Sequence, residues 1–136
     1  MAKSSATKRI NISSGGAYES VFGYSRAVRV GKDVHVSGTC APASHEKSDA
    51  YAQARAALEI IEKALGEAGA TVADVVRTVV YLRDVNDAEA VAKAHLETFD
   101  KIRPASTLIQ VTSMLRPWQK VEIEAYASLV SSENAK

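Results

Sequence analysis

Cysteine is scarce in this sequence of 136 residues, which contains only Cys40. A single thiol excludes an internal disulfide, and a reducing, cytoplasmic location is the simplest expectation. The three histidines, His35, His45 and His95, are not spaced as metal ligands, and the sequence has no CxxC or HxxxH pattern. We therefore expect neither a metal site nor a bound cofactor.

A net excess of charge is also missing, since 17 basic residues face 16 acidic ones and the formal net charge is +1. Binding to nucleic acid or to an anionic membrane depends on clustered Lys and Arg, so we expect neither as a partner. No apolar run is long enough for a membrane span, and no apolar stretch follows the basic start as in a secretory signal. The hydrophobic content of 46% suits one domain over residues 1–136, with flexible ends at 1–7 and 130–136.

The first part of the sequence contains short alternating apolar segments. Residues 8–12 alternate weakly and are predicted to form an edge strand. Residues 27–30 and 34–37 surround Gly31, a pattern typical of two strands joined by a tight turn.

Two segments have the spacing of amphipathic helices. Ser48 or Asp49 is placed to cap the first helix, and Gly69 is placed to end it in a left-handed conformation. The second helix follows a cap at Asn86 or Asp87. Apolar residues recur at helical intervals in both, so each helix is predicted to pack one face on a core.

A strand rich in β-branched residues, 75–82, lies between the two helices. Its period of two predicts one apolar side that consists of Val76, Val80 and Leu82 and another that consists of Val75, Val79 and Tyr81. Since helices on one side of a sheet cover only that side, the other side needs a further partner. We therefore expect a homo-oligomer.

The last part of the sequence, residues 104–127, is predicted to form a hairpin of two strands joined by a turn that contains a proline. In its second strand Glu122, Glu124 and Tyr126 share the side opposite to the apolar residues. These polar side chains indicate either a solvated outer face or the lining of a pocket or subunit interface. The whole order of elements predicts an α+β fold with both helices on one side of a single sheet.

Three sequence blocks, residues 24–38, 52–87 and 104–127, together resemble the Rid family, the YjgF-type reactive-intermediate deaminases that are also described as L-PSP-like. The resemblance implies a chorismate-mutase-like fold, with one mixed sheet and two helices packed on one face. It also implies a homotrimer with three pockets between neighbouring subunits, in which a small-molecule metabolite binds.

The activity that this resemblance implies is the hydrolysis of enamines and imines, such as 2-aminoacrylate, to a 2-keto acid and ammonia. Family members with this activity bind the substrate carboxylate through an arginine that follows a Pro-Ala pair, because a guanidinium binds a carboxylate through two hydrogen bonds. This sequence has Ser106 at that position, so it resembles a branch without the deaminase arginine. Arg103 or Arg116 could take its place, and the sequence leaves both alternatives open.

Other positions of the family's pocket can be transferred residue by residue. Glu122 matches the glutamate that positions water and is the candidate catalytic residue. The candidate substrate-binding residues are Tyr24, Ser37, Gly38, Ser106 and Thr107. The sequence departs from the family at Leu108, where cysteine is common, and at Ala92, where asparagine is common.

Three functions are compatible with these residues. The first is an imine or enamine hydrolase whose specificity is altered by the loss of the arginine. The second is a trimer that binds a small molecule without catalysis, as a regulatory protein would. The third, an endoribonuclease, is disfavoured because the near-neutral charge provides no basic groove.

Overall fold

Six strands form a single mixed sheet in the computed structural model, which describes residues 8–129. The strands are β1 (Arg9–Ile12), β2 (Ala27–Val30), β3 (Asp33–Thr39), β4 (Val75–Leu82), β5 (Ala105–Gln110) and β6 (Val121–Ser128). They lie in the order β1-β2-β3-β6-β4-β5, and β4 and β5 are the one parallel pair. The ends for which we expected flexibility, 1–7 and 130–136, fall outside the described residues.

Two long helices, α2 (Ala50–Glu67) and α3 (Ala88–Phe99), pack on one face of this sheet. The α+β prediction with two helices on one side is therefore confirmed. A short helix, α1 (Ala17–Phe22), was not predicted, because six residues are too few to show a helical repeat. None of the helices within residues 8–129 has the length and apolar character needed to cross a membrane.

Helix α2 begins and ends as its sequence predicts. The Asp49 carboxylate accepts a hydrogen bond of 2.9 Å from the Ala52 amide, which satisfies a donor that the first turn leaves unpaired. After the helix, Gly69 adopts a φ of 86°, a conformation that costs other residues free energy. Small residues such as Ala54 and Ala57 are fully buried and allow the helix to lie close to the sheet.

The core lies between α2, α3 and the strand residues that face them. In β6, Val121, Ile123 and Ala125 are completely buried. Burial of this kind contributes about 25 cal/mol for each Å² of apolar surface removed from water. The opposite side of the same strand is only half-buried, as the alternation predicted.

The predicted final hairpin is wrong, because β5 and β6 do not pair with each other. Both pair with β4, β5 in parallel and β6 antiparallel. Helix α3 carries the chain back over the sheet, so β5 starts from the same edge as β4 and runs in the same direction. Residues 111–120 then connect β5 to β6 across β4, which is a longer path than a hairpin turn.

The predicted sides of β4 are correct except at its start. Val75 is 3% exposed and packs in the core, whereas Val76 is 51% exposed. The register against β6 shifts between Val75 and Arg77, which shows an extra residue in the strand. Beyond this bulge, Val80 and Leu82 face the helices as predicted.

The start of α3 also differs in detail from the prediction. Asp87 is the N-cap residue of this helix, but its side chain makes no capping hydrogen bond. Asp84 instead accepts a hydrogen bond of 2.9 Å from the Asn86 amide in a preceding 3₁₀ turn. Asp84 therefore caps the turn that leads into the helix, and Asp87 does not cap the helix with its side chain.

Candidate functional site

A cleft with a volume of about 680 Å³ opens on the sheet face that the long helices leave uncovered. Strands β3 and β6 form its floor, and α1 and the segment after it form one wall. Four predicted site residues, Tyr24, Ser37, Gly38 and Glu122, line this cleft together. The polar side of β6 thus borders a cavity within a single chain.

Glu122 and Gly38 are matched in shape at the floor of the cleft. A side chain at position 38 would overlap Glu122 Oε2, and its Cβ would lie 3.1 Å from Glu122 Cδ. Glycine is therefore required for the carboxylate to lie over the β3 backbone. The close approach fixes where the carboxylate oxygens point.

Cys40 is the immediate neighbour of this carboxylate. Its Sγ lies 3.4 Å from Glu122 Oε1 and donates a hydrogen bond to it. Burial, followed by the negative charge of Glu122, raises the pKa of the Cys40 thiol to about 12. The thiol therefore stays protonated at neutral pH and acts as a donor, not as a nucleophile.

A second carboxylate, Glu124, lies on the same face but is held by two tyrosines. Tyr81 donates to Glu124 Oε2 at 2.7 Å and Tyr126 donates to Oε1 at 2.5 Å. The hydrogen bond to Glu124 is the main cause that raises the pKa of Tyr81 to about 12. Since both oxygens of Glu124 already accept a hydroxyl, Glu122 is the carboxylate that is better placed to act on a ligand. Within residues 8–129, no three His, Cys, Asp or Glu side chains are grouped to hold a metal ion.

Arg26 is a cleft residue that the sequence analysis missed. Its side chain is 8% exposed and its Nη1 donates to Gly38 O at 2.8 Å and to Thr39 Oγ1 at 2.7 Å. Its Nη2 donates to the Tyr24 hydroxyl at 2.9 Å. The spacing of Tyr24 and Arg26, two residues apart before a strand, is the one sequence signal for this contact.

Ser37 shapes the cleft but offers no free hydrogen-bond donor to a ligand, because its hydroxyl and amide both donate within the chain. Its hydroxyl donates to Ser25 O at 2.6 Å, and its amide donates to Arg26 O at 2.9 Å. The Ser37 oxygen keeps its lone pairs as acceptors, and the residue lines the cleft. These bonds tie β3 to the wall that contains Tyr24 and Arg26.

Ser106 and Thr107 do not line this cleft in the single chain, because they lie on β5, which β4 separates from β6. As consecutive strand residues they point to opposite faces of the sheet. Ser106 Oγ accepts a hydrogen bond of 2.7 Å from Thr78 Oγ1, which lies 2.8 Å from His95 Nε2. This chain of polar groups borders a cavity of about 500 Å³ on the helix side of the sheet. Thr107 is on the open face, where it accepts a hydrogen bond of 2.9 Å from Arg77.

The two arginines considered as replacements are placed differently from Arg26. Arg103 borders the helix-side cavity, and its Nη2 lies 2.6 Å from the carboxylate of Asp100. Arg116 lies in the connection between β5 and β6, next to residues that line the cleft. Among residues 8–129, the arginine that lines the cleft around Glu122 is Arg26.

The fold and the position of the cleft define a class of protein, and comparison with known proteins agrees. The mixed sheet with two helices on one face is the chorismate-mutase-like fold of the YjgF-type proteins. The sequence profile described as Endoribonuclease L-PSP matches residues 15–129. The chain therefore belongs to this family, the YjgF or Rid type, as the resemblance predicted.

Individual relatives give the degree of similarity. A Mycobacterium tuberculosis member of the YjgF/YER057c/UK114 family is 47% identical, with a TM-score of 0.85 over 90% of this chain and 100% of its own. An uncharacterised Streptomyces coelicolor protein is 37% identical over 95% of this chain and 98% of its own. A goat protein named 2-iminobutanoate/2-iminopropanoate deaminase is 34% identical over 91% of this chain and 92% of its own.

Proposed function

We propose that this protein binds a small metabolite in the cleft around Glu122 and hydrolyses an imine or enamine there. The observation that carries the proposal is the meeting of Tyr24, Ser37, Gly38 and Glu122 in one cavity of about 680 Å³. Its volume lies within the range of sites for small molecules. The similarity to a protein named for the deamination of 2-imino acids supports the same class of reaction.

Glu122 supplies the proton transfer that this reaction needs. In imine hydrolysis a water oxygen bonds to the imine carbon, and the carboxylate of Glu122 accepts the proton that the water gives up. The nitrogen takes up that proton and then, through the same carboxylate, the proton of the hydroxyl group now on the carbon. The carbon–nitrogen bond breaks, and ammonia leaves as the carbonyl of the 2-keto acid forms. Glu124 is held by two hydroxyls and is not free for this role.

Self-association into a homotrimer is part of the proposal. The open face of the sheet is only half-buried in one chain, and the adjacent edge strand β5 exposes Leu108 and Ile109 by 39% and 45%. Ser106 lies on the helix side of β5, so it would join the cleft only from a neighbouring copy. This arrangement supports pockets between subunits, to which both faces of the sheet contribute.

The site is proposed to have an altered specificity because Ser106 stands where the carboxylate-binding arginine is expected. The same replacement favours the alternative function, a small-molecule-binding trimer without catalysis. An endoribonuclease is disfavoured, because the near-neutral charge of the chain provides no basic groove for a nucleic acid. A cytoplasmic location is proposed from the single thiol alone.

The experiment is an assay of 2-keto acid release from 2-imino acids generated by a coupled enzyme, with the wild type, Glu122→Gln and Ser106→Arg. We expect Glu122→Gln to lose at least about 100-fold in turnover without a change in molecular mass, because it removes the proton acceptor. Glu62→Gln, an exposed position on α2, is the matched control and should retain the wild-type rate.

Equal rates for the wild type and Glu122→Gln would remove Glu122 from the mechanism. Thermal stabilisation by a metabolite without product formation would support the binding protein instead. Activity that appears only in Ser106→Arg would show that the natural chain has another task.

A further inference from the structure

We infer that Arg26 binds the carboxylate of the ligand in the cleft around Glu122, and thereby takes over the task of the arginine that Ser106 replaces. The inference rests on the proposed site and adds the class of ligand. That class is a small acid with a nitrogen on the carbon next to its carboxylate, as in a 2-imino or 2-amino acid.

Arg26 is a buried charge without a counter-ion in the described part of the chain. Its side chain is 8% exposed, and no carboxylate oxygen of residues 8–129 lies within 4.0 Å of its guanidinium. Its partners are the carbonyls of Ser37 and Gly38, the hydroxyls of Thr39 and Tyr24 and the ring of Tyr24, all of which are neutral. Since a buried cation is costly unless it is paired, an anion is the partner that this site still needs.

One edge of the guanidinium remains free to bind that anion. Nη1 donates to Ser37, Gly38 and Thr39, and Nη2 donates to Tyr24. Nε has no hydrogen-bond partner among residues 8–129. Every buried side-chain nitrogen of these residues does have a partner, so Nε is not buried and is accessible to solvent. Nε and Nη2 lie on the same edge of the planar group, and the hydrogen that each of them keeps is available to the oxygens of a carboxylate.

Two opposite charges border the same glycine. Arg26 bonds to the carbonyl oxygen of Gly38, and the carboxylate of Glu122 covers the Cα of Gly38 from the cleft side. A ligand that lies between the Arg26 guanidinium and the Glu122 carboxylate meets a cation at one end and an anion at the other. A carboxylate beside an amino or iminium nitrogen has the complementary arrangement of charge.

The binding of pyruvate and of its neutral amide, pyruvamide, tests this inference. Both probes have the same shape, and both are titrated by NMR into the wild type, Arg26→Gln, Arg26→Lys and Arg55→Gln. We expect the wild type to prefer pyruvate, and Arg26→Gln to lose roughly 10- to 100-fold of its affinity for pyruvate but not for pyruvamide. Arg55→Gln is the control, because Arg55 lies on α2, lines neither cavity and is 4.0 Å from the carboxylate of Glu97.

The ratio of the two affinities separates ligand binding from a structural role of Arg26. Loss of the bonds to Gly38 and Thr39 would lower the affinity for both probes equally. Loss of a carboxylate contact would lower the affinity for pyruvate alone and so change the ratio of the two affinities. If Arg26→Gln does not fold, Arg26→Lys supplies the test. A lysine keeps the charge and loses the paired donors, so the ratio of the two affinities should be smaller than in the wild type. An unchanged ratio in the folded variant would overturn the inference.

Two further results also decide the matter. Dissociation of the assembly in Arg26→Gln would show that a carboxylate of a neighbouring copy is the counter-ion, which also overturns the inference. Keto acid release without preference for pyruvate would refute the role of Arg26 and leave the proposed hydrolase standing. A preference for pyruvate that depends on Arg26, without any turnover, would support this inference and refute the hydrolase.

Discussion

The two faces of the sheet differ in what their side chains do, although the same strands form both. On β6 the side chains of Val121, Ile123 and Ala125 are 0% exposed beneath the helices. Their neighbours Glu122 and Glu124 are half-buried on the open face. The covered face therefore removes apolar surface from water, whereas the open face keeps charged groups in contact with water.

This difference separates stability from chemistry along a single strand. Apolar contacts on the covered face are lost together on unfolding and dominate the free energy of folding. The carboxylates of the open face are fixed by a glycine, a thiol and two tyrosines, which set where they point. Substitutions on the two faces should therefore change different measurements.

The largest expected effect is on the covered face. Ile123→Ala leaves a cavity among fully buried residues and should lower the free energy of unfolding by about 2–5 kcal/mol, measured by urea denaturation. Glu122→Gln, one residue away on the open face, should change it by less than about 1 kcal/mol. A loss of stability in Glu122→Gln as large as that in Ile123→Ala would contradict the separation of the two faces.

A smaller effect on stability is expected where the open face is tightest. Gly38→Ala places a methyl group against Glu122, so the carboxylate must move, and the free energy of unfolding should fall by roughly 1–3 kcal/mol. Turnover or ligand binding should fall more sharply than after any change on the covered face that leaves the fold intact. The measurements are urea denaturation and the keto acid assay.

Gly66→Ala is the matched control for this change. Gly66 lies in α2, and an added Cβ there meets no atom within 4 Å. The substitution should raise stability by up to about 1 kcal/mol, since alanine favours a helix, and should leave activity unchanged. Equal activity of the two alanine variants would show that the position of Glu122 does not matter.

The covered face was largely predictable from the sequence. The apolar residues of β6 recur every second position, and those of α2 recur at helical spacing, so each element contains its own evidence. The resemblance of three sequence blocks then gave the family and the architecture. At β4 the prediction of sides failed at Val75 and Val76, because a bulge shifts the alternation and no local pattern reveals it.

The open face was predicted less completely, because its contacts join distant segments. The pairing of β5 and β6 with β4 depends on the path of α3. The sequence shows only that β5 and β6 follow each other, which led to the wrong prediction of a hairpin. Arg26 reaches Gly38 and Thr39, 12 and 13 residues further along the chain, where the register of β3 against β6 is irregular. Such a contact cannot be deduced from spacing along one strand.

The smallest expected effect concerns the rim of the cleft. Glu19 in α1 accepts hydrogen bonds from the Ser14 hydroxyl and amide and from the Ser13 hydroxyl, and these bonds lower its pKa to about 2. A lowered pKa means that the carboxylate stabilises the folded rim above about pH 4.5. This stabilisation is lost as the pH falls towards 2.

Glu19→Gln should remove this pH dependence without affecting the core. Amide hydrogen exchange at Ser14 measures the change, because its amide donates to Glu19 Oε2 at 3.0 Å. In the wild type, protection at Ser14 should decrease between about pH 4.5 and pH 2, and in Glu19→Gln it should be low throughout. Protection of the Ile123 amide should be equal in both proteins, since β6 lies in the centre of the sheet. If Ile123 lost protection together with Ser14, the rim and the covered face would unfold as one unit, and the independence of the two faces would not extend to α1.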